Sequence, residues 1–244
     1  MYTTIAVIAG FAVLEQVFNG YKWPKQPYWV LRGIFWFALL IGTSHLLGRY
    51  LDPYAHGLTV FDLSGWGIWG APVALFFYEV LVYFVHRAQH RVDFLWRMHQ
   101  WHHSSERIDI WSSVRTHPLE LPLFHIVGLI AFAVVFNLSK ETSGGLMTFL
   151  LLIQYIQHTN VKTPRWLGYI IVRPENHMLH HARHVHRSNY ADLPIIDMLF
   201  GTFECPEKPP KDVGFWNGAS REALTLLMGK DATKEKGKAL TNTP

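Results

Sequence analysis

A single cysteine, Cys205, stands among the 244 residues, which excludes an intramolecular disulfide and any zinc or iron–sulfur site built from several cysteines. Charge is scarce as well. Asp, Glu, Lys and Arg make up 16% of the chain, against about 25% in an average soluble domain. The net charge of +4 comes without a nucleic-acid-binding motif, so a membrane protein with a basic cytoplasmic face is expected and no nucleic-acid partner. Met1–Gly10 carries neither a basic n-region nor a small-residue cleavage site, which predicts a retained helix instead of a cleaved leader. No internal repeat and no flavin, haem or ferredoxin motif is visible. What the chain has in abundance is apolar surface and imidazole: half its residues are hydrophobic, ten are Trp, and 15 are His. Thirteen of those 15 histidines lie between His86 and His186.

Five apolar stretches organise the sequence: Thr4–Phe18, Tyr28–Leu47, Leu63–Val85, Leu121–Leu138 and Gly144–Gln157. A helix crossing a bilayer needs about 20 mostly apolar residues, so the second and third predict spans, while the first and last are short for one. Basic residues sort the polar segments. Lys22, Lys25 and Arg32, then Arg87, Arg91, Arg97, Arg107 and Arg115, then Lys162, Arg165, Arg173, Arg183 and Arg187 mark three segments as cytoplasmic. The linker after the second stretch has only Arg49, offset by Asp52 and Asp62. Leu121–Gln157 then becomes a hairpin that enters and leaves from the cytoplasmic side, and all His-rich segments share that side. The expected fold is an all-α integral membrane protein: four to five transmembrane or reentrant helices with a cytosolic helical cap. Three regions follow: membrane helices over 1–70, a catalytic region over 71–205, and a polar, partly mobile tail over 206–244.

The histidines come in motifs: His86-Arg-Ala-Gln-His90, His99-Gln-Trp-His102-His103, His158-Thr-Asn160, and His177-Met-Leu-His180-His181. On a helix, positions i, i+3 and i+4 share a face, so each triplet makes a three-imidazole patch and His86 and His90 point the same way. Two triplets, a pair and a single His suit two ions with four or five ligands each. Imidazole favours Fe, Zn, Cu or Ni over Mg or Ca. Carboxylates are missing from the repeated inward positions, unlike soluble di-iron bundles, and the first motif has no Glu where a zinc protease carries its base. Surface or core histidines are the bland alternative, which two separate triplets in one chain disfavour.

In order and spacing these motifs resemble the fatty acid hydroxylase/sterol desaturase superfamily of membrane di-iron enzymes. The resemblance runs from about Ala71 to Phe203. It includes Glu79 and Tyr83 ahead of His86, Leu95-Trp96-Arg97 before the second box and Ser104-Ser105-Glu106 after it. It continues through Arg115-Thr-His117-Pro118-Leu-Glu120, Asn189-Tyr190, Asp197 and Phe200-Gly-Thr-Phe203. It implies metal ligands at His86, His90, His99, His102, His103, His158, His177, His180 and His181, with no catalytic residue beyond the metal centre. Two departures stand out: His184 where the family has Asp, on a continued helical stripe that makes it a candidate tenth ligand, and Ala191 where it has Gly.

The resemblance further implies two ferrous ions (zinc as a substitute in purified protein), a lipid substrate such as a sterol or fatty acyl chain, O2, and electrons from an external cytochrome b5-, ferredoxin- or flavoprotein-type donor. The expected activity is O2-dependent lipid hydroxylation or desaturation in the bacterial inner membrane or endoplasmic reticulum. A zinc-dependent lipid hydrolase or metal sensor is the alternative from another class. Among remaining polar residues, Asp93, Glu106, Glu175 and Asn160 are candidate acceptors for ring N–H groups. His117 and Glu120 are expected to anchor the hairpin, and His186 to be structural. His45, His56 and His125 are expected to make interfacial hydrogen bonds. Glu79 is either a functional intramembrane carboxylate or a helix-to-helix hydrogen bond.

Overall fold

The computed structural model describes residues 2–18, 20–55 and 58–231; His56 lies outside them, as does the end of the tail. Among the described residues every regular element is a helix, and β-pairing is limited to one isolated antiparallel bridge, Ala182 with Val213. The long elements match the apolar stretches: α1 (Tyr2–Val17), α2 (Trp29–Ala55), α3 (Ala71–Gln89), α6 (Glu120–Gly128) and α7 (Lys140–His158). Short helices fill the polar segments: α4 (Asp93–His103), α5 (Ile110–Ser113), α8 (Pro174–His180), α9 (Pro194–Leu199) and α10 (Ala223–Leu227).

Among the described residues, two segments are long and apolar enough to cross a membrane: α2, and Ser64–Gln89, where a 3₁₀ stretch (Ser64–Gly70) leads into α3. The third apolar stretch is therefore not one straight helix. Gly67 adopts φ 53°, outside the helical range, and Pro72 starts α3 within its first turn, where a missing N–H costs nothing. The fourth stretch also divides, α6 running on into a π-helix over Leu129–Val135. The last carbonyls of that π-helix are satisfied by an incoming loop: the Val60, Phe61 and Leu63 N–H groups donate to Val134, Val135 and Phe136. Ser139 caps α7 by accepting from the Thr142 N–H, which turns the polar linker expected there into the helix's first turn.

α3 is the centre of the bundle, packing on α4, α6 with its π extension, α7 and α9. Small Ala74 and Ala131, both fully buried, let the helices close, and Tyr78 stacks on Phe132 at 5.1 Å. A second core joins α2, α4 and α5 through Trp36, Trp101, Ile110 and Val114. Only 11% of the most apolar part of α2 is buried by the rest of the chain. Leu31, Phe35 and Leu46 stand more than half exposed there, as they would against lipid. The C-terminal region departs from its composition. Few apolar residues stand among many polar ones, yet Val213, Phe215, Ala219 and Leu226 are buried; the last three close over α4, while Val213 packs with Ile108 and Met178.

At Gly33, α2 packs directly on Trp111 of α5: a Cβ there would lie 2.6 Å from Trp111 Cε3. Gly33→Ala is expected to destabilise the detergent-solubilised protein by about 1–3 kcal/mol through overpacking. Gly42→Ala on the same helix, where nothing lies within 4 Å, is expected to be neutral or mildly stabilising. Thermal unfolding of the two variants side by side checks the packing; equal melting temperatures would contradict it.

Candidate metal centre

Each of the nine histidines but His99 is delivered by the last turn or the cap of a helix. His86 lies in the last turn of α3 and His90 is its C-cap. His99, His102 and His103 share α4, whose residues from Trp96 to His103 are all buried except Arg97. His158 closes α7, while His177 and His180 lie on α8 with His181 as its C-cap. The structure brings all nine together in two groups. His86, His90, His99, His103 and His180 form one; His102, His158, His177 and His181 form the other. Eight of the nine are buried, and His86 is partly so. The groups adjoin, since the His103 and His181 rings stack at 4.1 Å.

Hydrogen bonds fix which nitrogen faces inward. The Nδ1–H of His86 donates to the Tyr190 carbonyl at 2.7 Å, that of His158 to Gln154 at 2.8 Å, and that of His180 to Ser188 at 2.6 Å. His99 Nδ1–H donates to Glu120 at 2.8 Å. A neutral imidazole has one proton, so each of these rings presents Nε2 as a bare lone pair. For His86 and His99 those lone pairs face each other, and the Nε2 atoms of the other rings crowd the same two points. His86 Nε2 lies 3.1 Å from His99 Nε2, which is 3.0 Å from His103 Nε2. In the other group, His158 Nε2 is 3.3 Å from His102 Nε2 and 3.0 Å from His177 Nε2, itself 3.0 Å from His181 Nε2. Two acceptors pressed together in a dry site repel. With metal–imidazole bonds of about 2.0–2.1 Å, neighbouring ligands on one ion stand roughly 3.0–3.4 Å apart. The donor set fits a cation in each group.

The carbonyls that orient His86 and His180 come from a strap, residues 184–193, whose backbone is partly left-handed. His184, His186, Ser188 and Asn189 have φ of 69°, 42°, 64° and 51°. Such non-glycine residues cost about 1–3 kcal/mol each and persist only where the surroundings enforce them. Here Asn189 Nδ2–H donates to the Asn176 and Glu204 carbonyls, and its Oδ1 accepts the Glu204 N–H. Asp197 accepts the Tyr190 and Ala191 N–H groups. Glu79 Oε2, from within the bundle, accepts those of Asp192 and Leu193. Glu79 thus ties α3 to the strap and to Leu193, the N-cap of α9. Ala191 keeps a negative φ, so replacement of glycine leaves this turn unstrained.

Other expectations change. α8 ends at His180, and His184, left-handed and exposed, lies outside both groups, so the helical stripe does not reach it. His186 is buried, its Nδ1 3.0 Å from that of His103. Among the described residues, the four candidate acceptors hold partners other than the nine rings. Asp93 pairs with Arg97, and Glu106 accepts from the Gly218 and Ser220 backbone. Glu175 binds Tyr21, Thr163 and Arg173, and Asn160 exchanges hydrogen bonds with the Tyr21 backbone. Among the described residues, the carboxylate on one of the nine rings is Glu120, which was expected to anchor the hairpin and whose position three residues after His117 is its one signal in the sequence. His117 donates to the Leu227 carbonyl and so anchors α10. His125 meets Asp52 across α6 and α2, as an interfacial hydrogen bond, while His45 is exposed on α2.

Burial, and then mutual repulsion, push His90, His102, His103, His177 and His181 well below the ordinary imidazole range. Burial pushes His180 and His186 down to about 3. At neutral pH these rings are free bases, the form that binds metal.

A model of the fatty acid hydroxylase family matches residues 71–202. Alkylglycerol monooxygenase of Caenorhabditis elegans is 31% identical over 156 residues, 58% of this chain and 30% of that protein. The human alkylglycerol monooxygenase is 32% identical over 126 residues, 50% of this chain and 28% of that protein. A very-long-chain aldehyde decarbonylase of Oryza sativa subsp. indica is 29% identical over 138 residues, covering 51% and 21% of the two chains. The matches thus cover less than a third of each of these relatives. No solved structure matches the chain.

A histidine whose folded pKa lies below its unfolded value of about 6.5 leaves the unfolded chain binding more protons at lower pH, so stability falls with pH. The metal-free protein is expected to lose on the order of 1 kcal/mol per pH unit for each such ring below pH 6.5, a trend continuing towards pH 3 for His180 and His186. Melting temperatures of chelator-treated protein should fall steadily from pH 7 to 5. A flat profile would mean that these rings are not buried as free bases.

Proposed function

The chain belongs to the fatty acid hydroxylase family, and from that premise we propose that it is a membrane-embedded non-haem di-iron oxygenase that hydroxylates or desaturates a lipid. The observation that carries this reading is the convergence of nine imidazoles into sets of five and four, with inward ring nitrogens at ion-sharing distances. One iron would be held by His86, His90, His99, His103 and His180, the other by His102, His158, His177 and His181. Iron at these positions would supply dioxygen activation and attack on an unreactive C–H bond.

The protein's part is to hold the rings, keep water away and place the substrate. Tyr190 lies 5.4–5.8 Å from the rings of His86, His90 and His180, and Trp96 lies 5.5 and 5.6 Å from those of His90 and His103. These aromatics wall one group with apolar surface. In the proposed topology α2 and Ser64–Gln89 span the bilayer, α6 to α7 form a hairpin from the cytosolic side, and α4, α5, α8 and α9 form the cap, for four to five membrane segments in all. Residues 71–205 are then the catalytic region, 1–70 its membrane anchor, and 206–244 the tail. The metal face sits at the cytosolic ends of the helices, where an acyl chain reaches it from the bilayer and an external electron donor from the cytosol. Alkylglycerols and very-long-chain aldehydes, named in the relatives, are both lipids with an oxygen-bearing head, and we take a lipid of that kind as the substrate class.

Protein purified without oxygen is expected to carry about two irons per chain and, with reductant, to convert lipid under labelled O2, hydroxylation leaving the label in the product. His102→Ala and His180→Ala each remove a ligand from a different set, so each should reduce iron to about one per chain. Turnover should drop by more than the roughly 10–100-fold typical of losing an outer partner. Full turnover with zinc alone and no oxygen would reject the oxygenase reading.

A further inference from the structure

The two groups are not chemically equivalent. Glu120, 1% exposed, opens α6. Its Oε1 accepts the His99 Nδ1–H at 2.8 Å and a Gln89 amide N–H at 2.5 Å, and its Oε2 accepts the His117 backbone N–H at 3.0 Å. The His117 carbonyl in turn accepts the Glu120 N–H at 2.8 Å, so the carboxylate is locked from both sides. Gln89 and the peptide N–H are neutral donors, and the His99 ring is the one route by which the carboxylate reaches the metal position. In the four-imidazole group, His158 leans on a backbone carbonyl, and the Nδ1 atoms of His177 and His181 are buried without a hydrogen-bond partner.

Resting on the metal-binding reading of both groups, we infer that Glu120 is a positioning residue that makes the five-imidazole position the tighter of the two and the first to fill. A carboxylate on Nδ1–H raises the basicity of Nε2 and fixes the ring's tautomer and direction; partners of this kind are worth about 10–100-fold in metal affinity. The five-imidazole group also has one more donor. The four-imidazole group, without carboxylate backing on three of its rings, holds its ion less tightly and leaves it lower-coordinate.

The test uses the full chain in detergent, stripped of metal and titrated with Co²⁺ alone, followed by calorimetry and visible absorption. Four-coordinate cobalt absorbs more strongly than five-coordinate cobalt, so the spectrum reports which position fills. The wild type is expected to bind two equivalents in sequence, the first weakly absorbing and the second intense. Glu120→Gln should weaken the first phase about 10–100-fold and leave the affinity of the four-imidazole position unchanged. Glu106→Gln, altering a carboxylate that caps the Gly218 and Ser220 backbone, should shift neither phase. An intense first phase in the wild type overturns the inference even if the Glu120 variant fails to fold, and so do equal shifts of both phases in that variant. Fewer than two equivalents bound by the wild type would remove the binuclear reading itself; two equivalents with no response to Glu120→Gln would remove only the role of Glu120.

Discussion

The structure depends on one electrostatic constraint: neutral imidazoles anchored through Nδ1–H leave their lone pairs to meet inside a water-poor core. His86 and His99 show it most plainly. Each gives its only ring proton to an outer oxygen, and the two bare Nε2 atoms lie 3.1 Å apart. No rotation of either ring relieves that contact without abandoning a buried hydrogen bond. A shared cation turns the repulsion into coordination, and the surrounding helices read as the frame that holds the rings until it arrives.

Much of the family pattern outside the histidines serves this frame. Glu79, Asn189 and Asp197 touch none of the nine rings in the hydrogen bonds described; they hold the strap from which the Tyr190 and Ser188 carbonyls reach His86 and His180. Arg115 works from the opposite side. Fully buried, its guanidinium lies 3.9 Å over the Trp101 ring and donates to Ser104, fastening the back of the helix that carries three of the histidines.

The convergence of the histidines was legible in the sequence, because i, i+3, i+4 spacing puts each triplet on one helical face; the division of each triplet between the two groups was not, since it depends on how the helices meet. The long apolar helices were legible from the length of their hydrophobic runs. What stayed hidden depended on contacts between distant segments. Glu79 meets peptide N–H groups 113 and 114 residues away, and nothing near it in the chain signals that. His184 looked like the next step of a helical stripe, but the backbone turns left-handed before reaching it. Glu120 and His99 are 21 residues apart and join only because the His117–Pro118 turn folds back over α4. The burial of Phe215 and Leu226 was masked by averaging over a polar region, where a few well-placed side chains decide the packing.

The strap also fixes a chronology. His86 and His90 leave the ribosome early, yet the carbonyl that aims His86 belongs to Tyr190, and the strap around it is tied down by Thr202 and Glu204. Neither histidine group is therefore complete while the chain is still being made up to that point. On the di-iron reading proposed above, metal would enter only after the strap has been made, later than the first apolar helices, so that insertion and metallation would be separate events in the life of this protein.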